Sequence, residues 1–420
     1  MASKTLDPLS VEEPPRGGGE EERRGGGEEE RRGGGEEERT EEEERGTGAE
    51  WNRLTKVPVK VLRGHSEAVT TAQLCFNDRL LLSCSSDHSA ILWDVDSCSP
   101  LRVFDGVHSE TVTECAVIPN SNRMVTVSWD KTMASSDLET GQTLWRWRRA
   151  GLLTSCSCSG DGRLLVCAAD PQNAVYIIEA SSGQTLHAVC DHHRSTITRC
   201  RFHPQSQSVA TVSADRSIKL WDLLSQRTAA SVDSNHGNVV SDCCFSDSGH
   251  FLCSASWDKS LKLWDLQAGG LRPHGGTALQ SGHEGSVSSC CFSTDANLLA
   301  SASYDRTVAL WDTSSLCQTL VLKGHSDWVT DVSVSADRKL VASASKDATV
   351  RLWNVDDMED RQEVTKKKRT EGTGTHILEC EDCRKSFPGS GPETSELLTR
   401  CVFCRHKSPS TYRPQPPPLL

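Results

Sequence analysis

Residues 254–266 read SASWDKSLKLWDL and residues 301–312 read SASYDRTVALWD. Each holds two short runs in which polar residues alternate with apolar or β-branched ones, separated by an Asp turn. That period of 2 is the pattern of half-buried strands. The phrase recurs as SSDHSAILWD at residues 85–94 and SADRSIKLWDL at residues 213–223. Its Trp-Asp pair, or the remnant of one, starts at Trp93, Ser136, Ile178, Trp221, Trp264, Trp311 and Trp353, in steps of 43, 42, 43, 43, 47 and 42 residues. Such a period marks one four-stranded propeller blade per unit. A second mark keeps phase with the first. A histidine lies 29 residues before the Asp position, from His65 to Asp94, His108 to Asp137, His193 to Asp222, His236 to Asp265, His283 to Asp312 and His325 to Asn354. The long step contains QAGGLRPHGG, whose Gly and Pro predict an enlarged surface loop.

Outside this region the composition changes. The chain has 420 residues and a net charge of −12, and its first 50 residues hold 17 acidic against 8 basic side chains. Residues 16–46 repeat RGGGEEER with no apolar residue to bury, so they cannot offset the entropy of ordering. The remaining 38 basic and 41 acidic residues offer no global basic field for nucleic acid. No run of 18 apolar residues occurs, and the opening MASKTLDPLSVEEPP lacks the apolar core of a signal peptide. The expected location is intracellular, cytoplasmic or nuclear, where thiols stay reduced. Of the 19 cysteines, fifteen lie between Cys75 and Cys317, many in strand-like runs such as VSDCCFS, where Cys serves as a small buried hydrophobe.

With LRGH, SSDHSAILWD, SADRSIKLWDL, SASWDKSLKLWDL and LKGHSDWVTDV in register over about 300 residues, the chain resembles the WD-repeat family. The resemblance implies an all-β, seven-bladed propeller in which each repeat gives the outer strand of one blade and three inner strands of the next. VPVKVL at residues 57–62 would then complete the seventh blade, whose inner strands end near Val355. The expected organisation is a disordered acidic tail over 1–55, the propeller over 56–357, a charged linker over 358–375, a zinc-ribbon-like module over 376–408 and a Pro-rich disordered tail over 409–420.

The family's pattern also implies a structural hydrogen-bond tetrad. It falls on His65, Ser85, Asp87 and Trp93; on His193, Ser213, Asp215 and Trp221; and on His236, Ser256, Asp258 and Trp264. Two more copies are His283, Ser303, Asp305 and Trp311, then His325, Ser345, Asp347 and Trp353. Ser, His and Asp are also the parts of a hydrolase triad, but five copies fit a repeated staple and not one catalytic site. Blade two keeps His108, Ser128 and Asp130 with Ser136 in place of Trp, and blade three has Ala150, Gln172 and Ile178 where His, Asp and Trp belong. Blade three is therefore expected to be the loosest.

Three further motifs stand apart. DLETGQTLWRW at residues 137–147 resembles the tryptophan motif of quinoprotein propellers, but one clear copy reads as a turn at Gly141, and no pyrroloquinoline quinone is expected. Cys380-x2-Cys383 and Cys401-x2-Cys404 stand seventeen residues apart, the spacing of two knuckles closing one structural zinc site. KKKR at residues 366–369 is a nuclear-import signal or a solvated linker.

Trp129, Trp257 and Tyr304 each precede a turn Asp, Lys346 holds the same position in the last repeat, and Trp328 follows His325 by three residues. The resemblance places both classes of position on the top face around the central channel. Large aromatics there are expected to anchor a partner, making the chain a non-catalytic protein-interaction scaffold, no enzyme, with proteins or peptides as partners. Neither a membrane nor nucleic acid is expected as a partner, and the scaffold itself is expected to be monomeric. The alternative is a substrate receptor of a ubiquitin ligase. Many such receptors carry Arg two residues after the Trp-Asp aspartate, where this chain has Asp96, Leu224, Gln267, Ser314 and Asp356.

Overall fold

The computed structural model describes residues 57–356 apart from 206–207, 268–270, 273–274 and 280–281, together with the strand segments Glu50–Trp51, Ile377–Glu379 and Ser386–Pro388. Glu50–Trp51, expected to belong to the disordered tail, instead pairs antiparallel with Pro58 and Val59; the rest of the expected tails, the linker and the four zinc-module cysteines lie outside the described residues.

Seven antiparallel sheets follow one another along the chain. Their inner strands are Val69–Cys75, Val112–Ile118, Leu152–Cys158, Ile197–Phe202, Val240–Phe245, Val287–Phe292 and Val329–Val334, which define blades one to seven. Closure follows the expected scheme. Pro58–Arg63 pairs with Thr349–Asn354, with Val59 opposite Trp353 and Arg63 opposite Thr349, so the earliest described part of the propeller completes the last blade. Ring closure removes the free sheet edges that an open row of blades would leave between its first and last members.

In every blade the inner strand carries a β-bulge against the second strand at the same place. The register shifts between Val69 and Thr71, Val112 and Glu114, Leu153 and Ser155, Ile197 and Arg199, Val240 and Asp242, Val287 and Ser289, and Val329 and Asp331. The extra residue is always a hydroxyl: Thr70, Thr113, Thr154, Thr198, Ser241, Ser288 or Thr330. Freed from the ladder, it donates to the carbonyl at the start of the next blade's inner strand. Thr70 reaches Val112 at 2.7 Å, Thr113 reaches Leu153 at 3.0 Å, and Thr154 reaches Ile197 at 2.7 Å. Thr198, Ser241 and Ser288 continue to Val240, Val287 and Val329, and Thr330 returns to Val69 at 2.7 Å, which closes the ring.

Where a blade carries the tryptophan, the indole is wedged against the preceding blade. Trp264 packs on Ala210 and Val212, Trp311 on Cys253 and Ala255, and Trp353 on Ala300 and Ala302. Small residues on the second strand of one blade make room for the indole of the next. Blade three has Ile178 there, and the missing volume is supplied from the other side. Trp147, on the outer strand of blade two, is 7% exposed and packs with Ile178, Leu165 and Cys167. Its ring meets Tyr176 edge-on at 5.2 Å, its indole N–H donates to Thr185 at 2.9 Å, and Arg149 lies 4.5 Å above it. Trp145 crosses the same boundary to donate to the Ala180 carbonyl, lying where a Cβ on Gly183 would stand. The run at residues 137–147 thus does more than form a turn. At blade two, whose tryptophan is replaced by Ser136, the outer strand of blade one supplies Phe104, 3% exposed and packed with Met124 and Ala134, while the buried Ser135 and Ser136 hydroxyls have no hydrogen-bond partner among the described residues.

Two outcomes follow for stability. Thr330→Val, which keeps the volume and removes one ring bond, is expected to cost about 1 kcal/mol in urea unfolding. Trp147→Ala is expected to cost about 3–5 kcal/mol, as a large buried side chain does, and to raise hydrogen exchange in the Ala174–Glu179 strand before blade six responds. Equal protection in blades three and six of that variant would show that Trp147 is not the substitute staple.

Candidate functional site

Each blade presents two loops at one end of the ring, one before its inner strand and one between its second and third strands. The tetrad aspartate ties them together. Asp258 accepts from His236 Nδ1 at 3.0 Å and from the Gly237 amide at 2.7 Å with one oxygen, and from the Ser260 amide at 2.9 Å with the other. The arrangement repeats for Asp87 with His65, Asp130 with His108, Asp215 with His193, Asp305 with His283 and Asp347 with His325.

The tetrad's fourth member is not the serine the sequence suggested. His65 Nε2 and the Trp93 indole N–H both meet Ser83 Oγ at 2.8 Å, and Ser85 is turned to other work. Ser85 donates to the Ala68 carbonyl and accepts the Asp87 amide. The same correction moves Ser256 to Ser254, Ser303 to Ser301, Ser345 to Ser343, and Ser213 to Thr211. The reason is register. Trp93 pairs with Leu81, so Ser83 is two residues along, about 7 Å, whereas Ser85 is four along and out of reach of the indole. Trp221 also departs from its assigned role: His192 stands edge-on to its ring at 5.7 Å, and its Nε2 shares the Thr211 hydroxyl with His193. The bridging Ser83, Ser254, Ser301, Ser343 and Thr211 are wholly buried, so no substrate reaches these hydroxyls.

Burial holds the imidazoles of His65, His108 and His325 below their ordinary pKa against the pull of their aspartates. For Asp258, Asp305 and Asp347 burial opposes ionisation, but the bonds from histidine and from Ser260, Thr307 or Thr349 outweigh it and hold the carboxyls well below their usual range.

The tetrads carry the aromatic positions. The Trp257, Tyr304 and Lys346 amides bond to the carbonyls of Val239, Ser286 and Trp328 at 2.8–3.0 Å, so the residue before each Asp sits beside the third residue after each His. Tyr304 stacks on Trp328 at 4.6 Å with 17° between the rings, and Lys346 Nζ lies 4.6 Å from the Trp328 centroid. Ser286 donates to the Trp257 carbonyl and links blade five to this stack. Trp257 and Trp328 are 40% and 45% exposed, whereas Tyr304 is half-buried. Trp129 is 49% exposed but stands alone on blade two.

The sequence reading missed a charged layer in the channel. Arg199 contacts Glu114 at 3.0 Å and Asp242 at 3.2 Å, and Arg201 contacts Glu114 at 2.6 Å. Burial alone would discharge Glu114, but the two guanidinium groups hold it below the usual range; burial pushes Asp331 up. Several of these side chains also cap the next blade, as Glu114 accepts the Cys156 amide, Asp242 the Cys290 amide and Asp331 the Ala72 amide. Their signal was present in the sequence, six residues after the tetrad histidine: His108 to Glu114, His193 to Arg199, His236 to Asp242 and His325 to Asp331.

A family model described as WD domain, G-beta repeat matches residues 56–94, 98–134, 183–222, 229–265, 276–312 and 316–354. Human WD repeat-containing protein 88 is 42% identical over 163 residues, which are 39% of this chain and 34% of that protein. A ribosome biogenesis protein WDR12 homolog of Oryza sativa subsp. japonica is 26% identical over 39% of this chain and 44% of its own length. The U5 small nuclear ribonucleoprotein 40 kDa protein of Dictyostelium discoideum is 26% identical over 40% of this chain and 47% of its own. The chain thus spans between a third and a half of the length of these relatives.

The tetrads set an acid limit on the fold. The unfolded chain takes up protons on His below about pH 6.5 and on Asp below about pH 4, where the folded tetrads still resist them, so folding stability falls as pH drops. The urea midpoint is expected to decline from pH 7 to 5.5 and more steeply below 4.5. A midpoint flat over that range would remove the tetrads from the stability account.

Proposed function

The chain belongs to the WD domain, G-beta repeat family, and from that premise we propose that it is a non-catalytic scaffold whose top face binds protein partners through blades five to seven. The observation that supports this most is the stack of Tyr304, Trp328 and Lys346, to which the 40%-exposed Trp257 is joined by the bond from Ser286 to its carbonyl. An aromatic anchor that finds a pocket in a partner contributes far more than a scattered surface residue. Tyr304 serves as the backing of Trp328 and not as a free anchor. Relatives named for ribosome biogenesis and for the U5 small nuclear ribonucleoprotein suggest that the partners are subunits of large intracellular assemblies, in the cytoplasm or nucleus. A ubiquitin-ligase receptor would use the same face for its substrate, and the identity of the recovered proteins separates the two readings.

Replacing Trp257, Trp328 and Lys346 together by Ala is expected to weaken partner recovery from cell extract at least about 30-fold, the equivalent of 2 kcal/mol, with the thermal midpoint unchanged. Full recovery by the variant would move the binding surface elsewhere, with Trp129 next to be tried.

Zinc is proposed as a structural cofactor of the C-terminal module. In the sequence, Cys380 and Cys383 lie between Ile377–Glu379 and Ser386–Pro388, two segments that pair antiparallel. Two CxxC pairs seventeen residues apart suit one tetrahedral zinc site, which Cys401 and Cys404 would complete. Metal analysis of the full chain is expected to give about one zinc, lost in Cys380→Ser with Cys401→Ser; a metal-free wild-type chain with freely reactive thiols at all four positions would exclude the site.

A further inference from the structure

We propose that Cys244 and Cys290 form an oxidation site, a thiol pair that a small hydroperoxide converts into a disulfide stapling blade five to blade six. The Cys244 thiol donates to Cys290 Sγ at 3.4 Å across the blade boundary. The backbone is pinned at this point, because Asp242, two residues before Cys244, accepts the Cys290 amide at 3.1 Å. Two sulfurs already in contact need approach by little more than 1 Å, within rotamer adjustment, to reach a bond of about 2.05 Å.

Both thiols line a channel cavity of about 270 Å³, with Arg201, Cys291 and Ser333 also on its wall, and Cys244, which is half-buried, is the more accessible of the two. Cys290 is 4% exposed, and its thiol also lies 3.9 Å from the Cys253 carbonyl. The cavity admits a molecule the size of hydrogen peroxide. In the first step the Cys244 sulfur attacks the peroxide, the O–O bond breaks, an S–O bond forms and water leaves, giving the sulfenic acid. In the second, Cys290 attacks that sulfur, the S–S bond forms, the S–O bond breaks, and the Cys290 proton leaves with the hydroxide as a second water. One peroxide is reduced by two electrons and the thiol pair is oxidised by two. Burial pushes both thiols well above their ordinary range, so little thiolate forms and the first step is slow; the sulfur–sulfur contact favours the second step once Cys244 is oxidised. Cys190 and Cys317 are exposed.

The test is hydrogen peroxide added to the full native chain, followed by peptide mapping without reduction. A linked pair of peptides containing Cys244 and Cys290, two hydrogens lighter than their sum, is expected in wild type and in Cys253→Ser. It is expected to vanish in Cys244→Ser and in Cys290→Ser, and the oxidised wild type should melt several degrees higher than the reduced one, whereas the two Ser variants should not shift. Oxidation confined to Cys190 and Cys317, or a Cys244–Cys253 link in place of the inter-blade one, would overturn the proposal.

Discussion

A closed ring of blades must satisfy an angular constraint that an open sheet does not: each sheet has to meet the next at the same depth and tilt, seven times over, and return to its start. Here that condition is met by one repeated local device, the hydroxyl on the bulged residue of each inner strand. The bulge removes that residue from its own ladder, and Ser or Thr turns the loss into a bond to the next blade at 2.5–3.0 Å. Everything on the channel side takes its position from this ring. The residue after each hydroxyl faces the channel, which is how Glu114, Arg199, Asp242 and Asp331 meet although they come from four different repeats. Taking out one member of such a network leaves an uncompensated buried charge, typically a loss of 3–5 kcal/mol.

The outer half of the ring is governed by volume. An indole from one blade fills the space above the small residues of the preceding blade, and where it is absent something else has to occupy the space or the boundary loosens. Blade three reverses the direction of the wedge: Trp147 enters from blade two and brings a new polar set, Thr185 for its N–H and Arg149 over its face. The expectation that blade three is the loosest treated the missing tetrad as a vacancy. The packing instead gives that boundary Trp145, Trp147 and Tyr176, while in blade two the buried Ser135 and Ser136 hydroxyls have no partner among the described residues.

Much of this was legible in the sequence because repetition converts weak local patterns into strong ones. The seven-unit period, the closure by residues 57–62 and the His–Asp pairs all depend on spacing alone, and spacing survives substitution. The bridging serine was misplaced by two residues because Ser83 and Ser85 share a strand face, and only cross-strand register tells which one stands beside Trp93. The packing role of Trp147 is not legible beside the turn at Gly141, because its partner Ile178 is 31 residues away in sequence and an exchange of wedge between blades has no periodic signature. The channel charges did have one, six residues after each histidine, but charged residues in an inner strand read locally as breaks in a hydrophobic pattern.

The relation between the tetrads and the proposed docking face is causal. A loop that binds a partner pays for the order it acquires on binding, about 0.5–1.5 kcal/mol for each side chain immobilised. The aspartate of each tetrad removes that cost in advance, since its two oxygens accept from both top-face loops and fix the residue that precedes it. Trp257 and Tyr304 occupy that position, and Trp328 is bound to it through the Lys346 amide. A buried, repeated hydrogen-bond set thereby holds an unrepeated group of exposed aromatics in place. The interior can keep its pattern while the residue before each Asp changes freely, from Ser86 and Ala214 to Trp257 and Tyr304, without loss of the fold.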